Sequence, residues 1–352
     1  MAETVTDLPD LAVPAHLSGQ AYESAVRQKA RRLKDELIRQ TLEDLASWRK
    51  AVDDKWAQAH PDLAPIFPIS EAEIEQYRQR VRHEDYEWIV PAFDSFLDPD
   101  PGRFDPIIDT LAGVEAMFGG DADASGSWVG SEPALVRIND VREEMGNWQG
   151  DFRDAFIDEF VTPLQNTFPN HRELARLARA EVKMARLIYL RRRKSVLTLL
   201  DQSLAATQAL GKGSFSGNEA FKWGSIILVV AGTVAGAFAP GVGILASALI
   251  METVGTVGQG FLDDPPDEEK LPLAGATATE VAINVNTAMG KLNADVALSE
   301  SKAAAAFHSQ QQLLEQIRKR ARVANGPSAF SVAAPALSTA TPAQIIRGLR
   351  PN

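Results

Sequence analysis

Cysteine is absent from this 352-residue chain. That excludes a disulfide framework, zinc–thiolate sites and cysteine nucleophiles. Histidine is scarce. The five residues His16, His60, His83, His171 and His308 are scattered, and no pair has the spacing of an HExxH motif. His83-Glu84-Asp85 reads as a charged helix face, and Glu143-Glu144 and Asp263-Asp264 read as solvated surface. No GxSxG elbow occurs. Gly241-x-Gly243 lacks the rest of a nucleotide fingerprint, and Gly211-Lys212-Gly213-Ser214 lacks the upstream glycine of a phosphate loop. No catalytic, cofactor or metal site is therefore expected. Positive charge is also in deficit. Lys and Arg number 36 against 47 Asp and Glu, a net charge of −11, which argues against nucleic-acid binding driven by phosphate attraction. The opening MAETVTDLPDLAVPAHL has no basic segment followed by an apolar one, so no secretory signal is expected. The expected location is cytoplasmic, or outside the cell by a leaderless route, with membrane association left open.

Period-two alternation is missing as well, so the chain reads as all-α. Hydrophobic residues are 45% and charged residues 24%, ordinary for a folded protein. Residues 1–19 form a Pro-containing arm. Residues 20–118 form an N-terminal helical region. Its first helix, about Ala21 to Ala59, carries a stripe of Val26, Ala30, Leu33, Leu37, Leu42, Leu45, Val52 and Trp56 at steps of mostly three and four. Ser70 to Glu73 is a capping box that opens a second helix, which Pro91 should kink or end. Asp105-Pro106 reads as an N-cap with proline at the first helical position. Ile107, Leu111, Val114 and Phe118 then give a short helix ending at Gly119-Gly120, before a Gly, Asp and Ser-rich loop.

Residues 132–210 read as a helical hairpin around Trp148-Gln149-Gly150. Glycine frees the backbone for the turn, and the tryptophan is expected to pack across the two helices. Phe152, Phe156, Phe160, Leu164 and Phe168 follow at a spacing of four, in a region that Pro163 and Pro169 should bend. A helix from about Asn170 to Leu210 carries the basic run Arg191 to Lys194, read as a solvated face or a contact for anionic headgroups. Residues 278–324 form a last long helix with heptad character, and 325–352 a loosely ordered tail.

Between Lys222 and Glu252 no side chain is charged. With Pro240-Gly241 near its middle, this stretch is expected to be a helical hairpin over 220–262, with arms of about Ala220 to Phe238 and Val242 to Leu262. Each arm is about 24–30 Å, close to the hydrocarbon thickness of a bilayer. Gly232 and Gly236 form a GxxxG that lets helix backbones approach. Trp223, Leu245 and Leu249 supply apolar bulk. Three destinations stay open: a permanent core, a sheltered hairpin released later, and a membrane span.

The segments NWQGDFRDAFIDEFVTPLQNTF (147–168) and AEVKMARLIYLRRRKSVLTLLDQSL (180–204) resemble the WXG100-like helical hairpin of actinobacterial type VII (ESX) secretion-associated proteins. Larger members of that group look similar further on, with a Trp-Gly-led apolar segment such as Lys222-Trp223-Gly224 and then another helix. The resemblance covers roughly residues 105–265. It implies a non-enzymatic helical protein carried or handled by a type VII system, often as a dimer or larger assembly. One departure stands out. Type VII substrates usually carry Tyr-x-x-x-Asp/Glu after the second helix, whereas Tyr189 is followed four residues on by Arg193.

The architecture expected is an elongated bundle of long antiparallel helices with a central apolar helical hairpin. The work expected is assembly or delivery through helical surfaces at 21–59 and 279–323, with protein partners and a homo-oligomer. The alternative is an α-helical pore-forming protein that releases the 220–262 hairpin into a bilayer, with lipid as its partner.

Overall fold

The computed structural model describes residues 12–63, 70–122, 128–210, 220–224, 230–232, 251–253, 268–323, 339–348 and 350–351. These residues are mostly helical. After a 3-10 turn at Ala15–Leu17, helix α1 spans Gly19–Ala59. Its buried face is Tyr22, Val26, Ala30, Leu33 and Leu37, continued by Gln40 and Thr41. The stripe thus starts one turn before the sequence pattern and stops being buried after Thr41. Trp48, further along the same helix, is 51% exposed.

Helix α2 (Glu71–His83) opens on the expected capping box. The Ser70 hydroxyl accepts from the Glu73 amide at 3.3 Å, and the Glu73 carboxylate accepts from the Ser70 amide at 3.1 Å. Helix α3 (Ile89–Asp94) holds Pro91 in its first turn, where a missing N–H is tolerated. Asp100, one step earlier than expected, does the capping before the next helix. Its carboxylate accepts from Gly102 at the start of a 3-10 turn, Pro101–Phe104. Asp105 is instead the first residue of α4 (Asp105–Met117), and its carboxylate pairs with Arg186 at 2.6 Å. That frame buries Ile108 and leaves Ile107 49% exposed, so the expected stripe is rotated.

Strands β1 (Asp121–Ala122) and β2 (Trp128–Val129) form a short ladder beyond Gly120. Gly120 has φ of 92°, and a Cβ there would meet the Val129 carbonyl at 2.2 Å. Helices α5 (Pro133–Val136) and α6 (Ile138–Gly146) lead to β3 (Trp148–Gln149). Helix α7 (Asp151–Phe156) runs through a π turn at Ile157–Val161 into α8 (Thr162–Ala209). Pro163 falls in the first turn of α8, and the helix continues through Pro169, so neither ends it. At 48 residues α8 is about 72 Å long. Strands β4 (Ala220–Gly224), β5 (Val230–Gly232), β6 (Met251–Thr253) and β7 (Glu268–Pro272) precede α9 (Ala278–Val323). Helix α10 (Pro342–Gly348) and β8 (Arg350–Pro351) close the chain.

The main core draws on α1, α3, α8 and the first half of α9. Arg193 of α8 meets Leu17 and Tyr22, and Asp201 of α8 pairs with Lys29, so α1 and α8 run side by side in one direction. Asp295 acts on Arg191, Tyr189 meets Glu300 and Ala303 packs against the Ile188–Val296 cluster, so α9 runs back along α8. Helix α4 also opposes α8, through Asp105–Arg186 and Glu115–Arg179.

Arg193 fixes this arrangement. It is 2% exposed. Its guanidinium donates to the Leu17 carbonyl at 2.9 Å, the Leu97 carbonyl at 2.5 Å and Asp100 Oδ1 at 3.0 Å. It also stacks 4.4 Å over the Tyr22 ring. Asp100 Oδ2 accepts from the Gly19 amide at 3.0 Å. One side chain thereby joins the start of α1, the 97–100 loop and α8. Burial lowers the Arg193 pKa and Asp100 opposes that shift, yet an arginine stays charged.

Arg193→Ala is expected to destabilise the fold by about 3–5 kcal/mol, since it strips a buried ion from two carbonyls and a carboxylate that would be left without their donor. Urea unfolding followed by circular dichroism measures this. Arg193→Lys restores the charge but not the fork of donors, and should recover less than half the loss. A second outcome concerns pH. Burial, aided by Glu300, pushes the Tyr189 pKa from the usual 10.0 up to about 12. A raised pKa means stability fully present below about pH 10 and lost as pH rises towards 12. Absorbance at alkaline pH should show late tyrosine ionisation in the folded protein, and Tyr189→Phe should remove that component.

Candidate functional site

The Trp148-Gln149-Gly150 turn is built from the backbone outwards. Helix α6 ends at Gly146, two residues extend as β3, and Gly150 reverses the chain with φ of 109° and ψ of 170°. Side chains are rarely tolerated in that region, which is why glycine stands there. Asp151 then starts α7, and the Arg153 and Asp154 amides donate back to the Gly150 carbonyl at 2.9 and 3.2 Å. Arg153 Nε also reaches the Met145 carbonyl at 3.4 Å and so crosses the turn.

Trp148, expected to pack across the two helices, is partly open to solvent: it is 37% exposed. Its strand pairs antiparallel with the C-terminal residues, Trp148 opposite Pro351 and Gln149 opposite Arg350. Helix α10 lies against α7 beside this ladder. The tail over 325–352, expected to be loosely ordered, thus forms α10 and β8 within its described residues, and a two-residue ladder has no periodicity by which to foresee it.

The phenylalanine row is divided between environments. Phe156 and Phe160 are half-buried with ring centroids 5.3 Å apart. Phe168 is buried and meets Phe118 of α4 at 6.2 Å. The π turn at Ile157–Val161 lies between them and shifts the face of the helix.

The basic run at 191–194 is not a solvated face: Arg193 is buried and the other three are half-buried. Arg192 donates to the Asp98 and Ser95 carbonyls at 2.8 and 3.1 Å and lies 4.9 Å over the Phe96 ring. Arg193 is the buried node described above. Burial lowers the pKa of Arg191, with Asp295 opposing. Tyr189 stacks on Phe104 with centroids 5.9 Å apart and donates to Glu300. The Tyr189/Arg193 pair therefore faces the interior contacts of α8.

The apolar stretch is the second candidate. Its expected helical arms are not what the described residues adopt. Trp223 lies in β4 and Gly232 in β5, both extended. β4 pairs antiparallel with β7, placing Trp223 opposite Glu269, and β5 pairs antiparallel with β6, placing Gly232 opposite Met251. The physical reason is composition: each glycine costs a helix about 1 kcal/mol relative to alanine, and β-branched residues favour strands. Gly236, Pro240, Gly241, Leu245 and Leu249 lie outside the described residues. Among the described residues no helix is long and apolar enough to cross a membrane. Also among them, no group of three His, Asp or Glu is arranged to hold a metal ion.

No family model, curated protein or solved structure matches this chain.

Gly150→Ala should destabilise the protein by about 1–3 kcal/mol, the cost of a side chain forced into a glycine conformation. Thermal unfolding tests it. A change no larger than that of Gly146→Ala, where a Cβ meets nothing within 4 Å, would contradict the turn geometry.

Proposed function

We propose that this chain is a non-enzymatic helical protein associated with type VII secretion, acting in assembly or delivery through helix–helix contacts. The observation that carries this reading is the Trp148-Gln149-Gly150 reversal between two helices, with Gly150 at φ of 109° and Trp148 on the surface. The reading takes the long helices as an elongated bundle whose outer faces meet protein partners or further copies of the chain. Arg193 occupies the position of the acidic signal residue and is committed to the fold. Export on this reading uses a signal supplied by a partner.

The test is expression in an actinobacterial host with its type VII ATPase active or disabled. The protein should reach the culture filtrate only with the active system, and Trp148→Ala should reduce that amount while the intracellular protein stays folded. Equal amounts in both filtrates, or none in either, would sink the type VII association.

A second reading, of a protein that inserts its apolar stretch into a bilayer, draws on the two nested ladders. β4 with β7 and β5 with β6 bring the ends of the stretch together between α8 and α9. Such a segment leaves and rejoins the bundle at one place, which suits release as a unit. Dye-filled anionic liposomes at neutral and acidic pH test it. Leakage that is abolished by Val230→Asp and Leu245→Asp, with both variants remaining soluble and folded, is the expected result. Sealed liposomes in every condition would count against insertion.

A further inference from the structure

The projecting half of α1 helps to form a cavity that neither reading uses. Thr41, Asp44, Leu45 and Trp48 fall at i, i+3, i+4 and i+7, so they share one face of α1. Glu73, Ile74 and Tyr77 of α2 form the opposite wall, and Thr277 and Thr279, at the start of α9, close the end. The cavity is open on one side and has a volume of about 470 Å³, within the range of small-molecule sites, which are mostly apolar with a few placed polar groups.

The polar groups decide what fits. The floor is already satisfied: Thr41 Oγ1 is 2.7 Å from the Tyr86 hydroxyl and donates to the Leu37 carbonyl at 2.8 Å. The start of α9 is also capped. Thr277 Oγ1 accepts from the Glu280 amide, and the Glu280 carboxylate accepts from the Ala276 amide. The amides of Ala276 and Glu280 are thereby occupied by the chain's own side chains. Two carboxylates remain on the walls, Asp44 and Glu73. Hydrogen bonds from Ser70 hold the Glu73 carboxyl below its usual range and so keep it charged. No Lys or Arg lines the cavity. The Tyr77 ring already carries the Arg80 guanidinium 5.0 Å from its centroid, which leaves Trp48 as the aromatic group for a ligand, and an aromatic face attracts a cation through its quadrupole.

We infer that this cavity binds a small organic cation, an ammonium group carried on an apolar body. The ammonium sits between Asp44 and the Trp48 ring, and the apolar body lies on Leu45 and Ile74. The same chemistry is offered by free amines and by the choline headgroup of a lipid.

Titration calorimetry of the full chain with benzyltrimethylammonium tests the inference, with benzyl alcohol as the neutral comparison and benzoate as the anion. Benzyltrimethylammonium should bind at least about tenfold more tightly than benzyl alcohol, and benzoate should give no saturable heat. Asp44→Asn and Trp48→Leu should each weaken the cation about fivefold or more. Both residues are exposed, so thermal unfolding should be unchanged, and circular dichroism confirms it for each variant. Flotation with phosphatidylcholine against phosphatidylglycerol vesicles separates the two sources. Flotation with the former alone, lost in Asp44→Asn, assigns a lipid headgroup; calorimetric binding without flotation assigns a free amine. Equal affinity for benzyl alcohol, no saturable cation heat, or variants that bind as the parent does would each overturn the inference.

Discussion

A charged group taken out of water needs acceptors and opposite charge around it, and at Arg193 both terminal nitrogens of the guanidinium find them. Its guanidinium meets two carbonyls, one carboxylate and one aromatic face. Those partners come from the residues before α1, from the first turn of α1 and from the 97–100 loop. Helix α1 must therefore start beside residue 193 of α8 and run in the same direction. The Lys29–Asp201 pair continues that registration further along both helices. Helix α9 then returns against α8, and its beginning meets the far half of α1. The cavity beside Trp48 and the β4–β7 ladder both follow from that alignment, because α8 ends and α9 begins on the same side of the bundle.

Much of the helical framework was legible. The α1 stripe, the Ser70–Glu73 capping box and the Gly150 turn each rest on a local rule: a periodicity, a reciprocal hydrogen bond, a backbone angle that glycine alone adopts freely. Such rules act over a few residues and survive without knowledge of the rest of the chain. The basic run was not legible for the opposite reason. Four consecutive cations look like a solvated face whichever way the helix turns, and only the carbonyls of Leu17, Leu97, Ser95 and Asp98, far away in sequence, reveal that Arg192 and Arg193 point inward. Asp105 was misplaced by one turn element for a related reason. Its sequence context is that of a cap, while its partner Arg186 is 81 residues away.

The apolar stretch shows what composition does and does not decide. Uncharged residues in a long run must be covered, by protein or by lipid. Whether they are covered as helix or strand depends on which backbone partners exist, and here β4 finds β7 and β5 finds β6. The two forms have different consequences in a bilayer. A helix satisfies its own backbone, whereas a two-stranded ladder leaves two edges of unpaired amides and carbonyls. Open edges are not tolerated in the hydrocarbon region. A single chain that carried these ladders into lipid would have to convert them to helix there, or close them edge to edge with strands from other copies. The bilayer reading thus requires either a change of secondary structure or an assembly. The secretion-associated reading requires neither. On the bilayer reading, membrane activity would for that reason belong to many copies acting together or to a refolded segment.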